Sequence, residues 1–192
     1  MIRVDHKLRS VNCHLSNPRM EVRILLLQQN IYKKKEVVME QKFRTLYGKP
    51  IDNLIEYVRD YISTRDNVEI LVGSDSQSYG NKKTVYGVVI ALYTKGKGAH
   101  VLCSRETVKM EKDLSTRLIT EVWKSIEVAE YLKNNGLPKP KWIDIDLNPD
   151  PKYKSNIALR QAIGLVEGMG YKVRYKHLGA LMTYAANHLV RL

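Results

Sequence analysis

From Met39 onward, apolar positions recur with the regular periods of helices and strands. One group falls on a single helical face and predicts a helix over 50–63: Ile51, Leu54, Ile55, Val58 and Ile62. Three apolar runs separated by turn residues predict three antiparallel strands, over 68–74, 84–94 and 99–108. The pattern then predicts helix, strand, helix, strand and helix, over 114–135, 141–147, 155–168, 171–176 and 178–191. The predicted order is therefore α, βββ, α, β, α, β, α.

The first 38 residues lack this order, apart from a short strand-like run at 22–27. Residues 35–39, Lys-Glu-Val-Val-Met, can be encoded by a bacterial ribosome-binding sequence followed by a start codon. We therefore interpret residues 1–38 as a basic extension that is a translated leader, with Met39 as the true start. The alternative is a basic arm that contacts nucleic acid. The length of 39–192 fits one domain.

The composition is that of an ordinary globular protein, with 44% hydrophobic and 27% charged residues. No apolar run approaches the length that spans a bilayer, so no membrane partner is expected. The two cysteines, Cys13 and Cys103, form neither a disulfide framework nor a metal-binding quartet. This usage predicts a reducing, cytoplasmic setting. Nothing in the pattern indicates an oligomeric state.

The net charge of +12 is strongly basic and is shared between the two parts of the chain. Residues 39–192 carry 24 basic and 17 acidic side chains, so this part remains basic without the extension. A basic surface favours phosphate backbones through counterion release, which makes nucleic acid the expected partner. The alternative is a charged surface that only confers solubility.

Two carboxylates stand where predicted elements meet. Asp75 follows the apolar strand over 68–74, where an unpaired carboxylate is costly unless it binds a cation; the alternative is an Asp that begins a turn. Glu121 lies beside Leu118 and Val122, at the edge of the apolar stripe of its predicted helix. From there it can reach a strand end across the gap between helix and sheet. The alternative is a boundary Glu whose carboxylate extends into solvent.

A third carboxylate belongs to the strand over 141–147. Asp144 and Asp146 are two residues apart and share one face, while the apolar residues of this strand face the other way. This alternation also fits an exposed acidic face. If the strand pairs beside that of Asp75, however, Asp146 lies next to Asp75. Clustered carboxylates repel one another and are expected around bound cations, and oxygen ligands favour Mg²⁺ or Mn²⁺.

The order of these elements and acids matches the ribonuclease H pattern, and residues 39–192 more narrowly resemble the YkuK-like family of predicted ribonuclease-H-like proteins. The matching segments are residues 72–77, Val-Gly-Ser-Asp-Ser-Gln, the helix of Glu121, and residues 146–155, Asp-Leu-Asn-Pro-Asp-Pro-Lys-Tyr-Lys-Ser. The resemblance implies an α/β fold with a mixed five-stranded sheet, order 3-2-1-4-5, and helices on both faces. It also implies a fourth acidic residue on the last helix, where Asn187 stands instead.

The predicted mechanism is hydrolysis of phosphodiester bonds in RNA or DNA with two metal ions. Asp75 is expected to bridge both ions, Glu121 and Asp146 to hold one each, and Asn187 to complete the second site. Four lysines are candidates for contacts to the phosphate backbone: Lys82, Lys83, Lys152 and Lys154. The alternative is a non-catalytic nucleic-acid-binding module that retains the fold, which the neutral Asn187 favours.

Overall fold

A mixed sheet forms the centre of the computed structural model, which describes residues 39, 41–80, 82–176 and 181–191. The leader hypothesis and the strand-like run at 22–27 lie outside these residues, as does the start of the helix predicted over 178–191. The described residues form seven strands, four α-helices and one 3-10 helix: β1 (Phe43–Thr45), β2 (Pro50–Ile51), α1 (Leu54–Ser63), β3 (Val68–Tyr79), β4 (Lys83–Thr94), β5 (Gly98–Lys109), α2 (Leu114–Asn134), β6 (Trp142–Asp144), η1 (Lys154–Ala158), α3 (Leu159–Gly168), β7 (Lys172–Arg174) and α4 (Leu181–Arg191).

The sheet has the strand order β2-β1-β5-β4-β3-β6-β7. Three long strands, β3, β4 and β5, are antiparallel neighbours, and β6 pairs parallel with both β3 and β7. The predicted five-stranded sheet is not matched, because β1 and β2 extend the sheet beyond β5. These two strands span only three and two residues, too few to show a period of two.

The strands predicted over 141–147 and 171–176 are shorter, spanning Trp142–Asp144 and Lys172–Arg174. Three further predicted boundaries were wrong for local reasons. Pro50 and Ile51 form β2, and α1 begins only after Asn53, whose side chain accepts hydrogen bonds from two backbone N–H groups of the first turn. The helix predicted over 155–168 begins as the 3-10 helix η1, and its α-helical part starts at Leu159. The strand predicted to end at Ser74 continues to Tyr79, because its polar second half pairs with β4 in register.

The two faces of β3 are covered by different helices. Ser74 donates a hydrogen bond to the carbonyl of Glu121 on α2, whereas Gly73 lies against Met182 on α4 and Asp144 beside β6. Successive residues of a strand point to opposite faces, so α2 and α4 lie on opposite sides of the sheet. Apolar side chains of β3, β4, β5 and α4 form the core beneath α4: Leu71, Val89, Ala91, Cys103, Met182, Ala186 and Leu189.

We predict that Gly73→Ala destabilises the fold by about 2 kcal/mol, because the added Cβ has no room. It would lie 2.7 Å from the Met182 Cβ and 3.2 Å from the Asp144 Cβ, atoms that move only with the backbone. Gly164→Ala is the control, since nothing lies within 4 Å of a Cβ at this exposed helical position. It should raise stability by roughly 0.5–1 kcal/mol. Equal free energies of unfolding for both variants in urea would contradict the close packing of α4.

Candidate active site

Ser76, in the second half of β3, forms hydrogen bonds with two carboxylates. Its hydroxyl donates to Glu121 Oε2 at 2.8 Å, and its backbone N–H donates to Asp75 Oδ1 at 2.8 Å. The neighbouring Ser74 hydroxyl contacts the Glu121 carbonyl and the Ser125 hydroxyl, each at 2.7 Å. These buried contacts fix both the backbone and the carboxylate of Glu121 against β3, so the side chain faces the sheet as predicted.

Asp75 is buried within β3, where it pairs with Gly87 of β4. The hypothesis of a turn-initiating Asp is therefore wrong, because the strand continues past it. Burial, followed by the negative charge of Asp146, raises the pKa of Asp75 from its ordinary value of 3.8 to about 6. A carboxyl group in this setting is ready to bind a cation, since a cation would remove the penalty for its charge.

Glu121 is more deeply buried, with only 1% of its surface exposed. Burial raises its pKa well above the ordinary value, and the nearby charges of Asp75 and Asp146 raise it further. The hypothesis of a boundary Glu in solvent is therefore wrong. The charge of Asp146 raises the pKa of both Asp75 and Glu121, and the charge of Asp75 raises the pKa of Glu121, so the three carboxyl groups lie within electrostatic range of one another.

Asp146 reaches this neighbourhood because β6 runs parallel beside β3. Asp144 is aligned with Gly73, so Asp146, two residues later, extends alongside Asp75. Asp146 is half-buried, and its Oδ1 forms an ion pair with Lys176 Nζ at 3.0 Å. The side chain of Lys176 is 43% exposed, so this ion pair lies at the solvent-facing side of the site.

Asp144 has a different, structural partner. It is fully buried, and both of its oxygens accept from the Arg174 guanidinium, at 2.7 and 3.0 Å. The Met182 N–H also donates to it, at 2.9 Å. The hypothesis of an exposed acidic face is therefore wrong for this residue. Asp144 connects β6 to β7 and to the first turn of α4. Of the two aspartates, only Asp146 therefore lies near Asp75 as a candidate site residue.

Asn187 lies half-buried on α4, the helix that packs against the Asp75 face of the sheet. Its neighbour Ala186 contributes a backbone carbonyl 3.2 Å from the position of a Cβ on Gly87. Gly87 is the cross-strand partner of Asp75, so this turn of α4 covers the strand pair that carries the site. Whether the Asn187 amide binds a ligand stays a prediction.

Two basic residues near the carboxylates were not predicted from the sequence. The positive charges of Arg117 and Lys176 both lower the pKa of Asp75, against the larger effects that raise it. Arg117 also donates to the Ser78 hydroxyl at 3.0 Å, which fixes it over β3. Its position one helical turn before Glu121 was a usable signal. Lys176 had none, because its place depends on how β7 pairs with β6.

The donor atoms of these three acids are carboxylate oxygens, and their chemistry fits a divalent cation, because Mg²⁺ and Mn²⁺ prefer oxygen ligands. Among the described residues, no three or more His, Cys, Asp or Glu side chains are arranged as a ready metal cluster. Two of the carboxylate oxygens have other partners in this structure: Glu121 Oε2 accepts from Ser76, and Asp146 Oδ1 is paired with Lys176.

The four predicted phosphate-binding lysines are all exposed: Lys82, Lys83, Lys152 and Lys154. Lys82 and Lys83 lie at the hairpin between β3 and β4, and Lys152 and Lys154 lie between β6 and α3. Since β3 and β6 are parallel, both pairs follow the carboxyl ends of neighbouring strands. Lys152 is paired with Asp150 at 2.8 Å. Their role in binding nucleic acid stays a prediction.

We predict that the metal-free protein loses stability as the pH rises from about 4 to about 6, because Asp75 has a higher pKa when folded than when unfolded. The folded state then binds more protons in this window, so raising the pH favours unfolding. Asp75→Asn should reduce the loss by an amount on the order of 2 kcal/mol. Urea unfolding in EDTA across this window measures it. Asp52→Asn, at an exposed position, is the control, and identical pH profiles for wild type and Asp75→Asn would contradict the raised pKa.

Comparison with known proteins places this chain in a family. No curated protein matches the sequence. Among solved structures, Ciona intestinalis endonuclease V, in complex with a 24mer DNA containing an inosine followed by a ribo-adenosine, is 14% identical with a TM-score of 0.37. The alignment covers 62% of this chain and 56% of that one, so the chain spans little more than half of its length. No described helix is long and apolar enough to cross a membrane. The family model described as ribonuclease H-like matches residues 51–190, and the chain therefore belongs to the ribonuclease-H-like family.

Proposed function

We propose that this protein is a metal-dependent nuclease that hydrolyses phosphodiester bonds of RNA or DNA. The observation that carries the proposal is the pair of buried carboxylates, Asp75 and Glu121, held by one serine and flanked by Asp146. The narrower likeness to the YkuK-like proteins stays a prediction and is consistent with this activity.

Two like charges in a buried site are costly for folding alone. Burial raises the pKa of each carboxyl group; the charge of Asp146 raises the pKa of Asp75 further, and the charges of Asp75 and Asp146 raise that of Glu121 further. Arg117 and Lys176 lower the pKa of Asp75 but do not restore its ordinary value. A bound divalent cation would supply the missing positive charge, which explains why a sequence would retain this arrangement.

The residues that would hold Mg²⁺ or Mn²⁺ are Asp75, Glu121, Asp146 and Asn187. When bound, such ions lower the pKa of an attacking water and stabilise the departing oxygen of the phosphodiester. The protein contributes fixed positions: Ser76 orients the carboxylates of Asp75 and Glu121, and Arg117 extends over β3 beside them. The exposed lysines beyond β3 and β6 would hold the phosphate backbone without reading sequence.

The alternative function is a nucleic-acid-binding module without turnover. The neutral Asn187 favours it, because an amide ligand brings no charge to a second metal site. The ion pair between Lys176 and Asp146 favours it too, because it occupies a carboxylate oxygen that the nuclease would need. The same family fold is compatible with either function.

We predict that the wild-type protein cleaves at least one of single-stranded RNA, single-stranded DNA, duplex, hybrid or junction in Mg²⁺ or Mn²⁺. Asp75→Asn should lower the rate by roughly a thousandfold or more, since metal ligation contributes several kcal/mol to such reactions. Binding in EDTA should be unchanged, because the phosphate contacts come from basic residues elsewhere. Binding by wild type without cleavage of any substrate in either metal would favour the binding module.

We predict that Asn187→Asp tightens metal binding, because an anionic ligand replaces a neutral one, by roughly tenfold. Cleavage should rise, or its dependence on Mn²⁺ should relax toward Mg²⁺. Isothermal titration with Mn²⁺ measures the affinity, and Asn187→Ser is the matched neutral control. Unchanged Mn²⁺ affinity in Asn187→Asp would place this residue outside the ligand set.

We predict that Lys176→Met also tightens metal binding, by roughly three- to tenfold, because the ammonium no longer competes for Asp146 Oδ1. Lys152→Met is the matched control, since Lys152 forms a similar pair with Asp150 outside the carboxylate neighbourhood. Titration with Mn²⁺ compares the two variants. Equal affinities would show that Asp146 is not a ligand or that Lys176 does not compete for it.

A further inference from the structure

A cavity of about 470 Å³ lies at the end of the long strands away from the carboxylates. Its walls come from the end of α1, the turn between β1 and β2, and the turn between β4 and β5. Val68, at the start of β3, pairs with Thr94 beside this cavity. The seven strand residues from there to Asp75 span roughly 23 Å, so the cavity is separate from the carboxylate site. Its volume is in the range of pockets that hold small organic groups.

One wall of the cavity is a fixed aromatic stack. The rings of Tyr61 and His100 lie 4.8 Å apart with planes 12° from parallel. The Tyr57 hydroxyl fixes His100 through a hydrogen bond of 2.9 Å to Nε2, and the Arg65 guanidinium lies 3.9 Å from the centre of the Tyr61 ring. Burial and Arg65 lower the pKa of His100, which favours the neutral imidazole. The wall is flat, and the Arg65 cation caps it.

The mouth of the cavity carries two apolar side chains that the fold leaves exposed. Tyr47 is 95% exposed and Leu46 is 57% exposed, and both belong to the turn between β1 and β2. A tyrosine with so little packing contributes almost nothing to the core. An exposed ring beside a pocket is instead typical of platforms on which bases stack, since every base offers a flat face.

The charges around the cavity are mostly positive. Four exposed basic side chains lie on its walls or in the same turns, against one acidic side chain, Asp66. The basic residues are Lys49, Arg65, Lys95 and Lys97. The positive charge therefore favours a polyanion over an apolar partner or a partner that binds acidic residues. Because aromatic rings alternate with cations around the cavity, the favoured polyanion is single-stranded nucleic acid.

We propose that this cavity binds an unpaired nucleotide of a single-stranded segment, with the base stacked on Tyr47 and the neighbouring phosphate contacting Arg65 and Lys97. The inference rests on the proposed function only in that the partner is nucleic acid; it requires neither metal nor cleavage.

The experiment measures fluorescence anisotropy of a labelled twelve-nucleotide oligo-dT and of a labelled hairpin duplex, with the full chain in EDTA. Tyr47→Ala should weaken binding of the single strand by at least fivefold, whereas Tyr47→Phe should retain it, because only the ring stacks. Duplex binding should change by less than about twofold in both variants. Lys97→Ala should reduce the slope of log affinity against log salt by about one. The control is Lys172→Ala, at an exposed lysine on β7. In this variant, the affinity for the single strand should still depend on Tyr47.

Melting temperatures of the Tyr47 variants check that this exposed position leaves the fold intact. Equal affinity of wild type and Tyr47→Ala for the single strand would overturn the proposal, as would equal losses for the single strand and the duplex. Absence of nucleic-acid binding by wild type would overturn it together with the proposed function. If single-strand binding depends on Tyr47 but the protein cleaves no substrate, the proposed binding site is supported and the proposed nuclease activity is contradicted.

Discussion

The burial of the Glu121 carboxylate is the constraint on which the rest of the site depends. A buried carboxylate must have partners, because an unpaired charge in a protein interior costs several kcal/mol. Ser76 donates to it from β3, and Ser74 binds the backbone carbonyl of the same residue. The helix α2 is therefore attached to the strand at the point where the charge lies. The same strand segment places Asp75 beside it, so the fold concentrates negative charge where a cation can be used.

The two aspartates in and after β6 have the same position in the sequence pattern but different surroundings in the fold. Asp144 and Asp146 share one face of the chain and are equivalent in any periodic pattern. The fold separates them: Asp144 is enclosed by Arg174 and the first turn of α4, whereas Asp146 stays at the solvent-facing side with Lys176. A buried carboxylate with a bidentate guanidinium partner stabilises an interface between elements. The half-buried one retains the freedom to exchange its lysine for another cation.

Much of the fold could be predicted because long elements repeat their period several times. The three antiparallel strands, the Glu121 helix and the parallel β6 were all readable from apolar spacing, and the adjacency of β3 and β6 follows from that order. The edge strands β1 and β2 were not, since they are too short for a period, and Pro50 equally suits the start of a helix. The contacts of Ser76 and Lys176 depend on distances between elements, which no spacing along one chain encodes.

Family membership fixes the scaffold but not the reaction, because the same fold supports catalytic and purely binding proteins. What separates the two is the balance of charge within the site. Two buried acids with raised pKa values favour binding of one cation. The ammonium of Lys176 and the neutral side chain of Asn187 make binding of a second cation less favourable in the proposed site. The excess of basic side chains at both ends of β3 is common to both proposed functions and would favour a polyanion along the sheet. A nucleic acid held at both ends would lie across Asp75, so binding at the far cavity and chemistry at the carboxylates would reinforce each other through one strand.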